Sequence, residues 1–103
     1  MRVVIISPYR FKARNKFNSV MDSIAKKQRI IDARVDEFDD NIYVAFSGET
    51  SLEVICAIPK DLSNAIKDKY YDVVYIDKDY NEDEVWTIRE HLIGNERKPI
   101  IFF

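Results

Sequence analysis

The sequence predicts a single α/β domain in which a mixed, mainly parallel sheet carries helices packed against it. Three observations lead there. Two short apolar runs, "RVVIIS" at 2–7 and "DVVYID" at 72–77, are β-branched and unbroken by charge in their interiors, as strands buried on both faces are. Segments of helical spacing follow each run, and alternation of buried strands with helices implies parallel pairing through crossovers. The chain has 103 residues, Gly48 and Gly94 as its only glycines and no Ser/Pro-rich tract, so it reads as one unit without a linker.

The elements follow in order. Pro8 stops the first strand, and Phe17, Val20, Met21 and Ile24 then recur at i, i+3, i+4 and i+7, the core face of a helix from about 13 to 28. "RIIDARVDEF" at 29–38 partly alternates and suits either a strand or an irregular extension of that helix. "NIYVAF" and "LEVICAI" flank "SGETS", whose Gly48 can take the positive φ that hairpin turns often need, so the two read as an antiparallel pair. Pro59 ends the second of them. "KDLSNAIKDKYY" supplies a short helix with Leu62, Ala65 and Ile66 inward, and 72–77 is the next buried strand. In "NEDEVWTIREHLIG", Asn81 as N-cap, Glu84 at the capping-box position, acids in the first turn and Gly94 past the end define a helix. "PIIFF" at 99–103 closes the chain as a further strand. A competing parse takes 2–77 as a ferredoxin-like βαββαβ unit with one helix and one strand appended. Strand order separates the two.

Apolar residues make up 47% and charged residues 33%, ordinary for a globular protein. No apolar run approaches the roughly 20 residues that cross a bilayer, and "MRVVIIS" is too short for a signal peptide, so the expectation is a cytoplasmic protein with no membrane partner. The lone Cys56, inside "LEVICAI", reads as a small buried hydrophobe, with no disulfide framework and no zinc spacing around it. Net charge is −2 but unevenly spread: residues 1–34 hold nine bases against Asp22 and Asp32, and the remainder holds seven bases against sixteen acids. Such asymmetry suits an anionic partner or head-to-tail self-association, or else the two halves neutralise each other within the fold.

Three stretches together resemble the ATPase core of superfamily-2 helicases and viral large terminases. "VVIISPYRFKARNKFNSVMDSI" is similar to the strand, Pro-containing loop and helix whose loop touches nucleic-acid backbone in those families. "IYVAFSGETSLEVICAI" is similar to their hairpin, "YYDVVYIDKD" to the Walker B strand, and "KPIIFF" to the strand after it. The resemblance implies that Asp77 stands where a magnesium ligand would. Two departures weigh against the activity. No G-x-x-x-x-G-K-[ST] loop is present to cradle phosphates. Lys78 stands where the carboxylate that activates water would follow, and a cation cannot serve as that base at neutral pH.

Asp77, Asp79, Glu82, Asp83 and Glu84 cluster at the carboxyl end of a strand, where α/β folds place ligands, which makes Asp77 and Asp79 the candidate oxygen ligands for a magnesium ion. The plainer reading is that the three later acids complement a helix dipole and face water. His91 sits near a helix end with no nucleophile motif around it, and "DEFDD" at 36–40 reads as a solvated loop. The strongest binding signal is "PYRFKARNK" at 8–16, where Arg10, Lys12, Arg14 and Lys16 alternate without an acid and Tyr9 and Phe11 interleave. Cations contact phosphates and aromatics stack on bases, although the same bases could instead pair with acids of the chain while Phe11 enters the core. At the C-terminus Phe102 and Phe103 are the candidate interface of an edge strand that takes a partner or a second copy. Together these favour a small non-enzymatic binding or regulatory protein, of the viral kind the resemblance implies, that acts on a larger protein partner without a cofactor. A nucleic-acid-binding module using 8–16 and a metal-dependent nucleotide-processing enzyme using Asp77 are the alternatives.

Overall fold

The structure, a computed structural model, describes residues 1–36, 41–92 and 99–103. Gly94 and all of "DEFDD" except Asp36 therefore lie outside the described residues. Among these described residues six strands form one sheet: β1 (Arg2–Ser7), β2 (Ile30–Asp36), β3 (Asn41–Phe46), β4 (Ser51–Cys56), β5 (Val73–Ile76) and β6 (Ile100–Phe102). Three α-helices accompany them, α1 (Arg10–Ala25), α2 (Leu62–Ile66) and α3 (Glu82–His91), with a 3-10 turn at Pro59–Asp61 leading into α2. The spatial order is β2-β3-β4-β1-β5-β6. β1 pairs in parallel with β4 on one side and β5 on the other, and β5 pairs in parallel with β6. β2, β3 and β4 form an antiparallel run. Parallel neighbours on both sides of β1 make this the mixed α/β sheet rather than the ferredoxin-like arrangement, in which the neighbours of the first strand run against it.

The apolar runs end up where their composition requires. Val3, Val4, Ile5 and Ile6 of β1 are all buried, and successive side chains enter opposite layers. Val3 and Ile5 join Ala13 and Val20 of α1, Val44, Phe46, Leu52 and Val54. Val4 and Ile6 join Ile55, Leu62 and Ile66 of α2, Val74, Ile76 and Ile88 of α3. The helices thus sit on both faces, α1 on one and α2 with α3 on the other.

Several local expectations shift. Of "RIIDARVDEF", Ile30–Asp36 is a strand and not a helical extension, and as an edge strand it is exposed along its whole length. The hairpin after β3 places its positive φ at Glu49 (61°), not at Gly48. Gly48 serves a close approach instead: a Cβ there would stand 2.7 Å from Gln28 Cδ, whose side chain accepts a hydrogen bond from the Gly48 N–H (3.0 Å) and donates to Thr50 Oγ1 (3.1 Å). The capping box of α3 is complete, with Asn81 Oδ1 accepting from the Glu84 N–H (2.9 Å) and Glu84 Oε1 accepting from the Asn81 N–H (2.7 Å).

Candidate functional site

β1 and β5 are adjacent and parallel, with Ile6 opposite Ile76, so the next residues, Ser7 and Asp77, meet at the carboxyl end of the sheet. Both are fully buried. Ser7 Oγ donates to Asp77 Oδ2 at 2.6 Å and accepts from the Tyr9 N–H at 3.0 Å, which ties the end of β1 to the start of α1. The other carboxylate oxygen, Oδ1, accepts from Lys12 Nζ at 2.6 Å and from the Asp79 N–H at 2.9 Å. Lys12 Nζ also reaches Asp79 Oδ2 at 3.0 Å, so its ammonium bridges the two carboxylates. Burial pushes the Asp77 carboxyl up, but the hydrogen bonds from Lys12, Ser7 and the Asp79 amide outweigh it and hold the group below its ordinary value. The hydrogen bond to Asp77 in turn raises Lys12, against the opposing pull of desolvation.

This geometry decides whether Asp77 and Asp79 offer a place for magnesium. Ser7, Asp77 and Asp79 present oxygens of the right chemistry, but an ammonium lies between the carboxylates and both Asp77 oxygens accept hydrogen bonds from the chain itself. A divalent ion enters only if Lys12 leaves. Among the described residues no three His, Cys, Asp or Glu side chains gather into a metal-binding set. The residues present therefore do not fit the ion as they stand.

The segment expected to be a basic loop is helix from Arg10 onward. At about 100° per residue, alternate positions on a helix fall on opposite sides, so Lys12 and Lys16 share one flank and Arg10 and Arg14 the other. Lys12 is held by Asp77 and Asp79, and Lys16 Nζ lies 4.9 Å above the Tyr75 ring. Arg10 lines a crevice with Cys56 and Ala57 on the opposite flank. Tyr9 and Phe11 are exposed, so Phe11 does not enter the core. The structure brings Lys12, Asp77 and Asp79 together and separates the four cations.

The C-terminal phenylalanines also part company, because side chains alternate across a strand. Phe103 packs against the α1 layer, its N–H donates to Ile76 O (3.1 Å), and its carbonyl accepts from the Lys78 N–H (2.8 Å). Phe102 turns to the α3 side, 51% exposed, where with Tyr80, Glu82, Val85, Trp86 and Arg89 it lines a groove of about 270 Å³. Trp86, which sequence reasoning passed over, is 61% exposed. Its signal was its position: two residues before the buried Ile88, it lies about 160° around the helix from the core face. Ser7 was also missed, although its place at the end of a buried strand marks the region where α/β folds assemble sites. Among the described residues no helix is long and apolar enough to cross a membrane.

Comparison with known proteins found two solved structures of similar fold. One is the large terminase from a thermophilic bacteriophage, with a TM-score of 0.65, 9% identity, and coverage of 98% of this chain and 25% of the terminase. The other is the same phage's large terminase in complex with ADP, at a TM-score of 0.58 and 14% identity with the same coverage. The chain thus spans about a quarter of the length of the proteins it matches. No family model and no curated protein matches the sequence. At these identities the likeness is one of fold: this chain has the α/β architecture of a portion of a phage large terminase.

Proposed function

We propose that this chain is a non-enzymatic binding protein that docks on a larger protein through the open edge of its sheet beside α3. The observation that carries the reading is the exposed aromatic groove at that edge. β6 ends the sheet. Its bonds to β5 run through Pro99 O and Phe103 N, so by alternation the N–H and C=O groups of Ile100 and Phe102 point away from β5. An extended segment of a partner can add there as a strand, and one of its apolar side chains can fill the groove between Trp86 and Phe102. Tryptophan, tyrosine and arginine are the residues that dominate protein interfaces, and Trp86, Tyr80 and Arg89 all line this groove. Phe102 is half-exposed, so covering the rest of it would contribute about 0.8–1.5 kcal/mol, half the value for a full side chain.

A non-catalytic role is supported by Lys12, which occupies the cation position beside Asp77, and by the lack of a phosphate-cradling loop in these 103 residues. The nucleic-acid reading requires four cations on one face, and the helix divides them, which favours a protein partner. Selection of a displayed peptide library on the purified protein tests the proposal. Extended peptides with alternating apolar residues should be enriched, and Trp86→Ala and Phe102→Lys should each weaken their binding by tenfold or more, about 1.4 kcal/mol, without changing the fold. Binding indifferent to both substitutions, or nucleotide turnover that Asp77→Ala abolishes, would overturn it.

A further inference from the structure

β2 closes the sheet on the side opposite β6, and nothing among the described residues covers it, since Ile30–Asp36 is exposed throughout. An end strand leaves every second N–H and C=O without a ladder partner. Its two faces differ in character. Ala33 and Val35 stand opposite Val44 and Ile42 of β3 and share their side of the sheet, with Ile31 alternating alongside. Val44 and Ile42 are buried in the α1 layer, yet Ile31 is 65% and Val35 58% exposed. The other face is charged. Arg34 Nε and Nη2 both contact Asp32 Oδ2 at 3.1 Å, and the guanidinium lies 5.8 Å from the centroid of the Tyr43 ring.

The order of these side chains selects an occupant. When two copies of one strand pair antiparallel about a two-fold axis, both offer the same outward-pointing backbone groups, so the axis passes through a single residue. With the axis at Ala33, Asp32 faces Arg34 of the second copy and Arg34 faces its Asp32. Ile31 faces Val35 in the same way, so each face of the strand meets its complement. Charge also fixes the register. An axis at Asp32 sets two carboxylates directly opposite each other, and an axis at Arg34 opposes two guanidiniums and sets Asp32 against Asp36, arrangements that destabilise a strand pair. Charges ordinarily keep an edge strand from its own copies; in this order they favour one pairing and oppose its neighbours. Because the contacts from Arg34 fall on Oδ2 of Asp32, Oδ1 remains to accept from the second copy. The break in register between Ile30 and Asp32 keeps the new ladder short, from Ile31 to Val35, so the association is of the reversible kind.

We propose that two copies of this chain associate by antiparallel pairing of β2 about Ala33, a closed dimer through which one sheet runs. The β6 edge, with four strands between, stays open in each copy. Sedimentation equilibrium of the full chain from micromolar to millimolar concentration tests this, and should show monomer and dimer with no larger species. Asp32→Arg and Arg34→Asp, both at exposed positions compatible with folding, set like charges face to face and should each weaken the dimer by about tenfold. Mixed in equal amounts, the two variants should pair with each other, because one carries two bases and the other two acids. The double exchange should restore self-association, which a variant that merely misfolds would not do. The proposal is overturned by a chain that stays monomeric at millimolar concentration, or by a dimer indifferent to the single exchanges or not restored by combining them. A dimer lost in Trp86→Ala, or oligomers that keep growing with concentration as β2-to-β6 pairing would produce, overturns it as well.

Discussion

Ser7→Ala removes one oxygen atom and tests the whole account of the carboxyl end of the sheet. Ser7 and Asp77 are fully buried and their hydrogen bond is 2.6 Å long, so water cannot stand in for the hydroxyl. A hydrogen bond to a charged group is worth about 1.5–3 kcal/mol, and a loss of about 2 kcal/mol is expected near neutral pH, or roughly 10 °C in Tm for a domain of this size. The pH dependence supplies the sharper signature. The Asp77 carboxyl is held below its ordinary value near 3.8, so its stabilising contribution is complete above that value and is lost as pH falls through the lower folded-state value. Without Ser7 the folded-state value rises toward the ordinary one. The gap between the two proteins should therefore be largest at neutral pH and should narrow as the pH is lowered through the acid range, because protonation removes the charge that strengthens the bond. Urea denaturation of both proteins across this range measures it. A gap that stays constant with pH, or no gap at neutral pH, would refute the claim that Ser7 serves the ionised carboxylate.

Two further substitutions test local structure. Asn81→Ala breaks the side-chain half of the capping box and should cost about 1 kcal/mol in a denaturation experiment. Glu49→Gly places glycine where the backbone has a φ of 61°, and should raise stability by a few tenths to about 1 kcal/mol in the same assay.

The strands at 2–7 and 72–77 were legible because a β-branched run with no interior charge has few ways to satisfy itself except between two layers. α3 was legible because its start signals are local. The start of α1 was not, since Pro8 and the alternation of Arg10, Lys12, Arg14 and Lys16 with aromatics imitate an extended loop, and only tertiary packing of Ala13 reveals the extra turn. The Lys12 pairing spans 65 positions and leaves no local mark. One hint existed: a lysine in the first turn of a helix opposes the dipole and calls for an anion nearby, which the chain supplies from Asp77 and Asp79. Strand order, and with it the crevice between β1 and β4, depends on pairings that no single stretch encodes.

β1 is the seam between the two apolar layers, and its partners are made long after it. The register pairs Arg2 with Ser51 and Val3 with Val73, separations of 49 and 70 positions. At about 10 residues per second of synthesis, the strand waits roughly 7 s between its own translation and that of β5. The buried members of the α1 layer end at Val54, so Val3 and Ile5 can be covered once β4 is made, whereas Val4 and Ile6 wait for β5 and α3. The α1 layer can therefore close before the layer of α2 and α3, with β1 serving both. Completion of the sheet is the late step, when β5 pairs with β1 across 70 positions, and such long-range pairing slows folding. Until then the face of β1 that carries Val4 and Ile6 has no layer to cover it.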